Sequence, residues 1–422
     1  MMRTSVAVIF QSLMIATAII GVANGQGVFN DGCYCAETLT GDWCGNRTCL
    51  AENGITFDMD VAHFYHGVTS GGLERHFTYA GHGDYVTNVD FGKLGVQEGL
   101  FLKVRAEHRF GETINPSTGA VLPATVLADL PVADSEDLML TNVLFTQFLN
   151  ERTAVFFGKL DTLDGDANAF ASGRGKTQFM NSGFVVNPIA LRTVPYSSLG
   201  CGFLIMGEGG EPLFNYTIIN PRDTANRAGF DELFADGVAM SAELRLPSTF
   251  WGKPGHHLFG GTWSSRDYVA LDQDPRVIFP EVAINETQGS WSLYYNFDQY
   301  LYTDRCDPSK GWGLFGRAGI ADDKANPIAY FLSLGIGGNN PYCGHRNDTF
   351  GLGWFMSGTS DQISPFLEIP LGPIGDGYGV EMFYNCEVTK WLNISPDVQV
   401  LMPARQEVDP ALVIGVRAVM QL

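Results

Sequence analysis

The sequence predicts an all-β protein, a transmembrane antiparallel up-and-down β-barrel of about 16 strands with a short N-terminal helix. The first observation is that apolar and polar residues alternate in several segments, which is the period of a strand with two different faces. The second is that the chain ends in such a strand. The third is that no apolar stretch of 18 residues follows the first 25 residues, so any crossing of a membrane must use strands.

The N-terminal residues have the features of a cleavable secretory signal. Arg3 lies near the start, and an apolar run from Val6 to Val22 leads into small residues. The run is shorter than the roughly 20 residues that span a bilayer, which favours a signal peptide over a transmembrane anchor. We therefore expect a signal peptide over residues 1–25, a cysteine-rich N-terminal segment with a short helix over 26–54, and a transmembrane barrel over 55–422.

The short helix is predicted at Arg47 to Asn53, because Gly54 behind it is a typical helix stop. The N-terminal segment 26–54 contains four of the eight cysteines of the chain. An even total number of cysteines predicts disulfides in a protein exported to an oxidising compartment. The spacing of the first four matches no usual zinc site. The pairing is left open, although Cys306 and Cys343 lie in turn-rich segments that a bridge can join. The cysteines are Cys33, Cys35, Cys44, Cys49, Cys201, Cys306, Cys343 and Cys386.

Five segments after the helix alternate most clearly, with apolar side chains on one face. Their other face mixes Arg, Glu, Asp and Asn with aromatic residues, which is the lining of a narrow polar channel rather than the exposed face of a soluble sandwich. In chain order, these inward faces are predicted as Lys103, Arg105, Glu107 and Arg109; Ser241, Glu243 and Arg245; Ser290, Ser292, Tyr294, Asn296 and Asp298; Glu381, Asn385 and Glu387; and Val413, Gly415, Arg417, Val419 and Gln421.

The connections between strands are predicted to be of two kinds. Residues 115–137, 161–187 and 267–286 are long, whereas Ser395 to Asp397, with Pro396 between them, is predicted as a compact turn. Long loops at one end of a barrel and short turns at the other are typical of porins.

The net charge of −20 argues against nucleic acid as a partner, because a phosphate backbone requires a basic surface. The chain also lacks a G-x-S-x-G elbow, a Walker loop and an H-E-x-x-H pair. None of the enzyme classes that such motifs mark is therefore expected.

Two stretches resemble the carbohydrate-selective porins of bacterial outer membranes, of the glucose-porin type. Near the N-terminus, Gly41 to Arg47 and then Gly54 to Phe57 match the family pattern G-D-W-G-G-x-R followed by a G-I-T-F strand, with Cys44 in place of a glycine. Near the C-terminus, Trp391 to Pro403 and then Gly415 to Arg417 resemble the closing hairpins of the family.

This resemblance implies a monomeric 16-stranded barrel in the bacterial outer membrane that admits glucose and other sugars by diffusion through a charged and aromatic constriction. The expected partners are mono- or oligosaccharides and outer-membrane lipid, and self-association of barrels is left open. The cysteine-rich start is a departure from the family. A second departure is Leu422, because the terminal residue recognised during outer-membrane insertion is usually aromatic.

A pore that selects sugars needs charged side chains that bond hydroxyls, an aromatic plate beside them, and weak affinity so that the solute leaves. We predict that the plate is Trp263 or Phe259. The alternative is that the charged residues are ordinary solvated lumen residues with no part in selectivity. The residues predicted to line the channel and select sugars are Lys103, Arg105, Glu107, Arg109, Glu243, Arg245, Trp263, Glu381 and Arg417.

Other functions are kept as alternatives. One is a structural envelope barrel tied to other envelope material by its cysteine-rich start. Another is a secreted all-β glycosidase, with Asp231 and Glu232, or Glu243 and Glu381, as paired carboxylates. No cofactor is expected, except that the acidic loop with Asp161, Asp164 and Asp166 has oxygen ligands of the kind that bind Ca²⁺.

Overall fold

The computed structural model describes residues 36–278, 281–342, 345–363, 368 and 371–422. The predicted signal peptide lies outside these residues, as do Cys33, Cys35 and Cys343. The described residues form sixteen strands: β1 (Ile55–Ser70), β2 (Phe77–Asp90), β3 (Leu100–Gly111), β4 (Met139–Asn150), β5 (Thr153–Asp161), β6 (Ser197–Met206), β7 (Pro212–Ile219), β8 (Ala239–Phe250), β9 (Lys253–Val269), β10 (Glu286–Thr303), β11 (Gly311–Ala321), β12 (Ile328–Asn339), β13 (Thr349–Thr359), β14 (Gly377–Thr389), β15 (Leu392–Met402) and β16 (Ala411–Gln421).

Every strand pairs antiparallel with its neighbours in sequence, and β1 pairs with β16 to close the barrel. The alternation read from the sequence gives the faces correctly. In β16, for example, Val413 and Arg417 are buried inside the barrel whereas Ile414 and Val416 are exposed on its outer surface. The predicted barrel with about 16 strands is confirmed.

The helices are short. The predicted N-terminal helix is confirmed as α1, which ends just before Gly54, a residue whose φ of +94° favours glycine. Within the described residues, no helix is both long enough and apolar enough to cross a bilayer. The α-helices are α1 (Asn46–Glu52), α2 (Asn115–Thr118) and α3 (Ser182–Val185), and the 3-10 helices are Trp43–Gly45, Val126–Asp129, Gly173–Gly175, Pro188–Arg192, Phe230–Glu232 and Pro275–Ile278.

The connections divide between the two ends of the barrel as predicted. All three segments predicted to be long lie at one end, which we call the long-loop end, and we call the other the short-turn end. The long-loop end has connections 71–76, 112–138, 162–196, 220–238, 270–285, 322–327, 360–376 and 403–410; the short-turn end has 91–99, 151–152, 207–211, 251–252, 304–310, 340–348 and 390–391, and α1.

The compact turn predicted at Ser395 to Asp397 is wrong, because these residues lie within β15 and the turn is at residues 390–391. Ser395 Oγ donates a hydrogen bond to Asn385 inside the barrel, so its polar side chain faces the lumen. Pro396 lies where pairing with β14 is interrupted, and there its missing N–H breaks no ladder.

No disulfide joins any two cysteines in the described part of the chain. Cys44 and Cys49 are free and exposed near the short-turn end, and Cys201 and Cys306 are also free and exposed. The predicted disulfides, including a bridge between Cys306 and Cys343, stay predictions.

Candidate functional site

The connection between β5 and β6, residues 162–196, folds into the lumen of the barrel, and we call it the inward loop. Its side chains Phe170, Phe179 and Phe184 are fully buried. The Phe179 ring lies 4.5 Å from Phe184 and 4.9 Å from Phe383 of the inner wall, between ring centroids. Burial of these apolar rings against inward-facing aromatic residues holds the loop inside the barrel.

Two arginines of the wall bind carbonyl oxygens of the inward loop. Arg417 donates to the carbonyls of Gly175 at 2.7 Å and Gln178 at 2.8 Å. Arg317 donates to the carbonyl of Phe184 at 2.9 Å. Both guanidinium groups are fully buried, so these bonds replace the water that the groups have lost.

One wall carboxylate binds N–H groups of the same loop. Glu381 accepts from the backbone N–H of Met180 at 2.6 Å and of Asn181 at 2.9 Å. The Asn181 side chain in turn accepts from the N–H of Gly183 and begins α3. The wall therefore fixes both the position and the local conformation of the loop.

Arg174 of the inward loop lies among three carboxylates, two of which belong to β3 and β5. Its guanidinium is 3.0 Å from Glu107, 2.9 Å from Asp161 and 3.0 Å from Asp164. Burial by itself lowers the pKa of Arg174, but the neighbouring carboxylates outweigh it and hold the pKa well above its usual value. Arg174 is therefore charged at every physiological pH.

The network of charges continues along the wall towards β1. Lys176 Nζ of the inward loop lies 2.7 Å from both Asp60 and Asp84. Arg105 Nε lies 3.1 Å from Asp84, and Arg105 also bonds Asp161. Positive and negative groups alternate here, so each buried charge has partners.

Lys103 and Asp164 form the more open edge of this network. The Lys103 Nζ is 3.2 Å from Asp164, whose side chain is 46% exposed. Partial burial raises the pKa of Asp164, but Arg174 and Lys103 lower it more, and the net pKa lies below its usual value. This pair is accessible from the lumen, and its carboxylate is ionised at neutral pH.

A second polar group lies on β8 and β10. Glu243 accepts a hydrogen bond from the Tyr294 hydroxyl at 2.7 Å and another from the backbone N–H of Asp166 at 3.0 Å. Arg245 pairs with Glu211 of the turn at residues 207–211. These contacts link the wall to the inward loop at one side and to the short-turn end at the other.

A cavity of about 500 Å³ lies between the inward loop and the inner wall of β3 to β10. Apolar side chains form much of its surface, and the polar groups just described lie among them. The charged and phenolic residues of its lining are Lys103, Asp161, Asp164, Asp166, Tyr196, Glu243, Arg245 and Tyr294.

The charged residues predicted to line the channel all lie on the inward face, but the structure divides them into two groups. Lys103, Glu243 and Arg245 line the cavity. The others bind loops or join the buried network, since Arg109, for example, donates to the carbonyls of Ala128 and Gly111. The residues outside the cavity are Arg105, Glu107, Arg109, Glu381 and Arg417. A role in selecting solutes stays a prediction for all eight.

Trp263 and Phe259 are on the wrong side of the wall to form the predicted aromatic plate. Trp263 is 45% exposed and Phe259 is 52% exposed on the outer surface. Their neighbours Thr262 and Leu258 face inward, and Thr262 bonds Thr193 of the inward loop. Because faces alternate along a strand, the two aromatic side chains point outward.

The three carboxylates considered for Ca²⁺ are paired with arginine side chains instead. Asp161 and Asp164 bind Arg174, and Asp166 binds Arg317. No group of three or more metal-binding side chains occurs within the residues that the structure describes. The geometry gives the calcium hypothesis no support.

Several residues of the network were missed from the sequence. Arg174 and Lys176 lie in a loop, where no strand period reveals their direction. Arg317 lies within an alternating segment from Gly313 to Gly319. Its inward direction could therefore be predicted from the sequence, whereas its hydrogen-bond partners could not. Asp60 and Asp84 have the same inward alternation on β1 and β2.

The sequence model of one protein family, described as carbohydrate-selective porin, OprB family, matches residues 74–422. Porin B of Pseudomonas aeruginosa is 27% identical over a stretch that covers 28% of this chain and 30% of that protein. The match thus spans less than a third of this curated relative.

Solved structures with the same fold include OprB of Pseudomonas putida at high pH, with a TM-score of 0.79, 19% identity and coverage of 92% of this chain and 99% of that chain. The outer-membrane channel DcaP of Acinetobacter baumannii has a TM-score of 0.51 and 9% identity, with coverage of 87% and 97%. At these identities the likeness shows the fold.

Proposed function

The chain belongs to the carbohydrate-selective porins of the OprB family, and we propose that it admits monosaccharides such as glucose across the bacterial outer membrane by passive diffusion. The inward loop supports this proposal, because it narrows a wide barrel to a cavity of about 500 Å³, which is within the range of small-molecule sites. Such a channel excludes larger solutes by size.

Solute contacts within this channel are proposed for Lys103, Asp164 and Arg245, which line the cavity. Charged groups of both signs bond to hydroxyls that donate and accept. Because Lys103 and Asp164 are already paired with each other, they bind a passing sugar weakly, as release requires.

Liposome swelling tests the proposal. Vesicles containing the purified protein are expected to swell in glucose faster than protein-free vesicles, and much more slowly in a tetrasaccharide. Arg245→Ala is expected to change the glucose rate, whereas Arg222→Ala in the loop at residues 220–238 serves as the matched control. No swelling in glucose, together with no conductance in planar bilayers, would contradict the proposal.

The carboxylates of the glycosidase alternative have other partners. Glu232 forms a salt bridge with Arg227 at 2.7 Å, and Asp231 lies beside it in an exposed 3-10 helix. Glu243 and Glu381 both accept hydrogen bonds from the inward loop. The family membership and these contacts favour a channel over an enzyme.

A further inference from the structure

Part of the inner wall beside the cavity is apolar, which is unusual for the interior of a porin-type barrel. Phe156, Leu160 and Ile219 form a buried cluster on β5 and β7, and Leu144 and Leu204 pack against it. All five line the cavity, and Leu144 and Leu204 are the two whose side chains are partly exposed in it. We call these five residues the apolar stripe.

The polar groups near the stripe are largely engaged with one another. Lys103 pairs with Asp164, and Glu243 accepts from Tyr294 and from the inward loop. A free sugar has hydroxyls around its whole edge, and a hydroxyl moved from water to an apolar wall loses hydrogen bonds. The stripe therefore offers little to glucose and more to an apolar group.

We propose that the apolar stripe binds the apolar aglycone of alkyl and aryl glycosides while the sugar part contacts the charged groups of the same cavity. This inference rests on the proposed sugar-channel function and names a preferred class of solute for it. Apolar surface that leaves water on binding supplies affinity roughly in proportion to its area. An aryl glucoside therefore binds in the channel more tightly than glucose does.

Planar-bilayer recordings of the full chain test this with glucose, methyl β-D-glucoside and phenyl β-D-glucoside. The concentration of phenyl glucoside that half-blocks the ion current is expected to be about tenfold lower than that of glucose, with the methyl glucoside in between. Equal half-blocking concentrations of phenyl glucoside and glucose in the parent protein would overturn the inference.

Leu204→Asn and Leu144→Asn place a polar side chain of similar size in the stripe. Each is expected to bring phenyl glucoside to within about twofold of glucose, because the apolar contact is lost. Leu94→Asn, in the turn at residues 91–99 and away from the cavity, is the matched control and should keep the parent ratio. Each variant is first checked for a folded barrel by heat-modifiable migration on gels.

The two proposals fail differently. In one outcome the channel passes glucose, but the ratio of the half-blocking concentrations of phenyl glucoside and glucose is the same in the parent and in both stripe variants. This outcome contradicts the inference and leaves the sugar-channel function intact. A protein that neither conducts nor admits glucose sinks the function itself.

Discussion

Arg417 illustrates how single charged residues act in this protein. It points into the lumen as its position in the last strand predicts, yet it is fully buried and binds the inward loop and the Ser395 hydroxyl at 2.9 Å. Arg417 therefore positions the inward loop and does not contact solvent in the lumen.

Arg417→Met is expected to lower the free energy of unfolding by about 3 kcal/mol, because loop carbonyls and nearby carboxylates lose their buried cation. The loop should also loosen, so that single-channel current becomes larger or noisier. Thermal unfolding and bilayer recordings measure both effects. Arg222→Met, at an exposed salt bridge, is the control, and an equal effect of the two variants would contradict the role of Arg417.

Asp164 allows a prediction about pH. In the folded protein the pKa of Asp164 is lowered from its usual value of 3.8. The carboxylate is therefore ionised at any pH above 3.8, and it becomes protonated only when the pH falls through its lowered, folded-state pKa. The contribution of Asp164 to ion selectivity, measured as the difference in reversal potential between the parent and Asp164→Asn in a KCl gradient, should thus stay constant between about pH 7 and pH 5.

Asp164→Asn should shift the reversal potential toward anions at neutral pH, because Lys103 and Arg174 lose a counter-charge in the lumen. Asp236→Asn, in the loop at residues 220–238, is the matched control. A difference between the parent and Asp164→Asn that disappears between about pH 7 and pH 5 would refute the assignment.

At the scale of elements, α1 lies against the seam where β1 and β16 close the barrel. Arg47 donates to the Leu422 carbonyl at 2.7 Å and to the Phe57 carbonyl at 2.6 Å. Leu422 N–H also donates to the Met59 carbonyl at 2.8 Å. The N-terminal helix therefore ties the first strand to the last residue of the chain.

Arg47→Ala is expected to destabilise the closed barrel by about 1–3 kcal/mol, because two charge-assisted hydrogen bonds are lost. Heat-modifiable gel migration across a temperature series measures the change. Arg152→Ala, at an exposed position of the short-turn end, should have no comparable effect. An unchanged unfolding temperature in Arg47→Ala would show that Arg47 does not stabilise the barrel closure.

At the scale of the whole molecule, the net charge of −20 is distributed unevenly. The loop at residues 112–138 contains five carboxylates and no Lys or Arg. Loops of one sign at the mouth of a channel attract counter-ions. The five are Glu112, Asp129, Asp134, Glu136 and Asp137.

We therefore expect cation preference in a KCl gradient, which weakens as salt rises because the Debye length falls from about 10 Å at 0.1 M to about 3 Å at 1 M. The double variant Glu112→Gln and Asp134→Asn should reduce the preference, and Glu98→Gln at the short-turn end should not. Anion preference in the parent would contradict the expectation.

The sequence by itself determined the barrel, the number of strands, the short helix and the inward direction of residues such as Arg105, Glu243 and Arg417. The alternation of side chains with a period of two is a local property of a strand. The face of each residue can therefore be predicted without knowing its distant contacts. Trp263 has the chemistry of an aromatic plate, but the same period places it on the outer face, because its neighbour Thr262 faces inward.

Only the tertiary structure decided that residues 162–196 fill part of the lumen and that most of the predicted charges hold this loop. The contacts responsible join residues far apart in the chain, as Arg417 and Gly175 are, and no local pattern encodes such a pairing. Buried charges require partners, but which partners they find depends on how the closed barrel brings distant residues together.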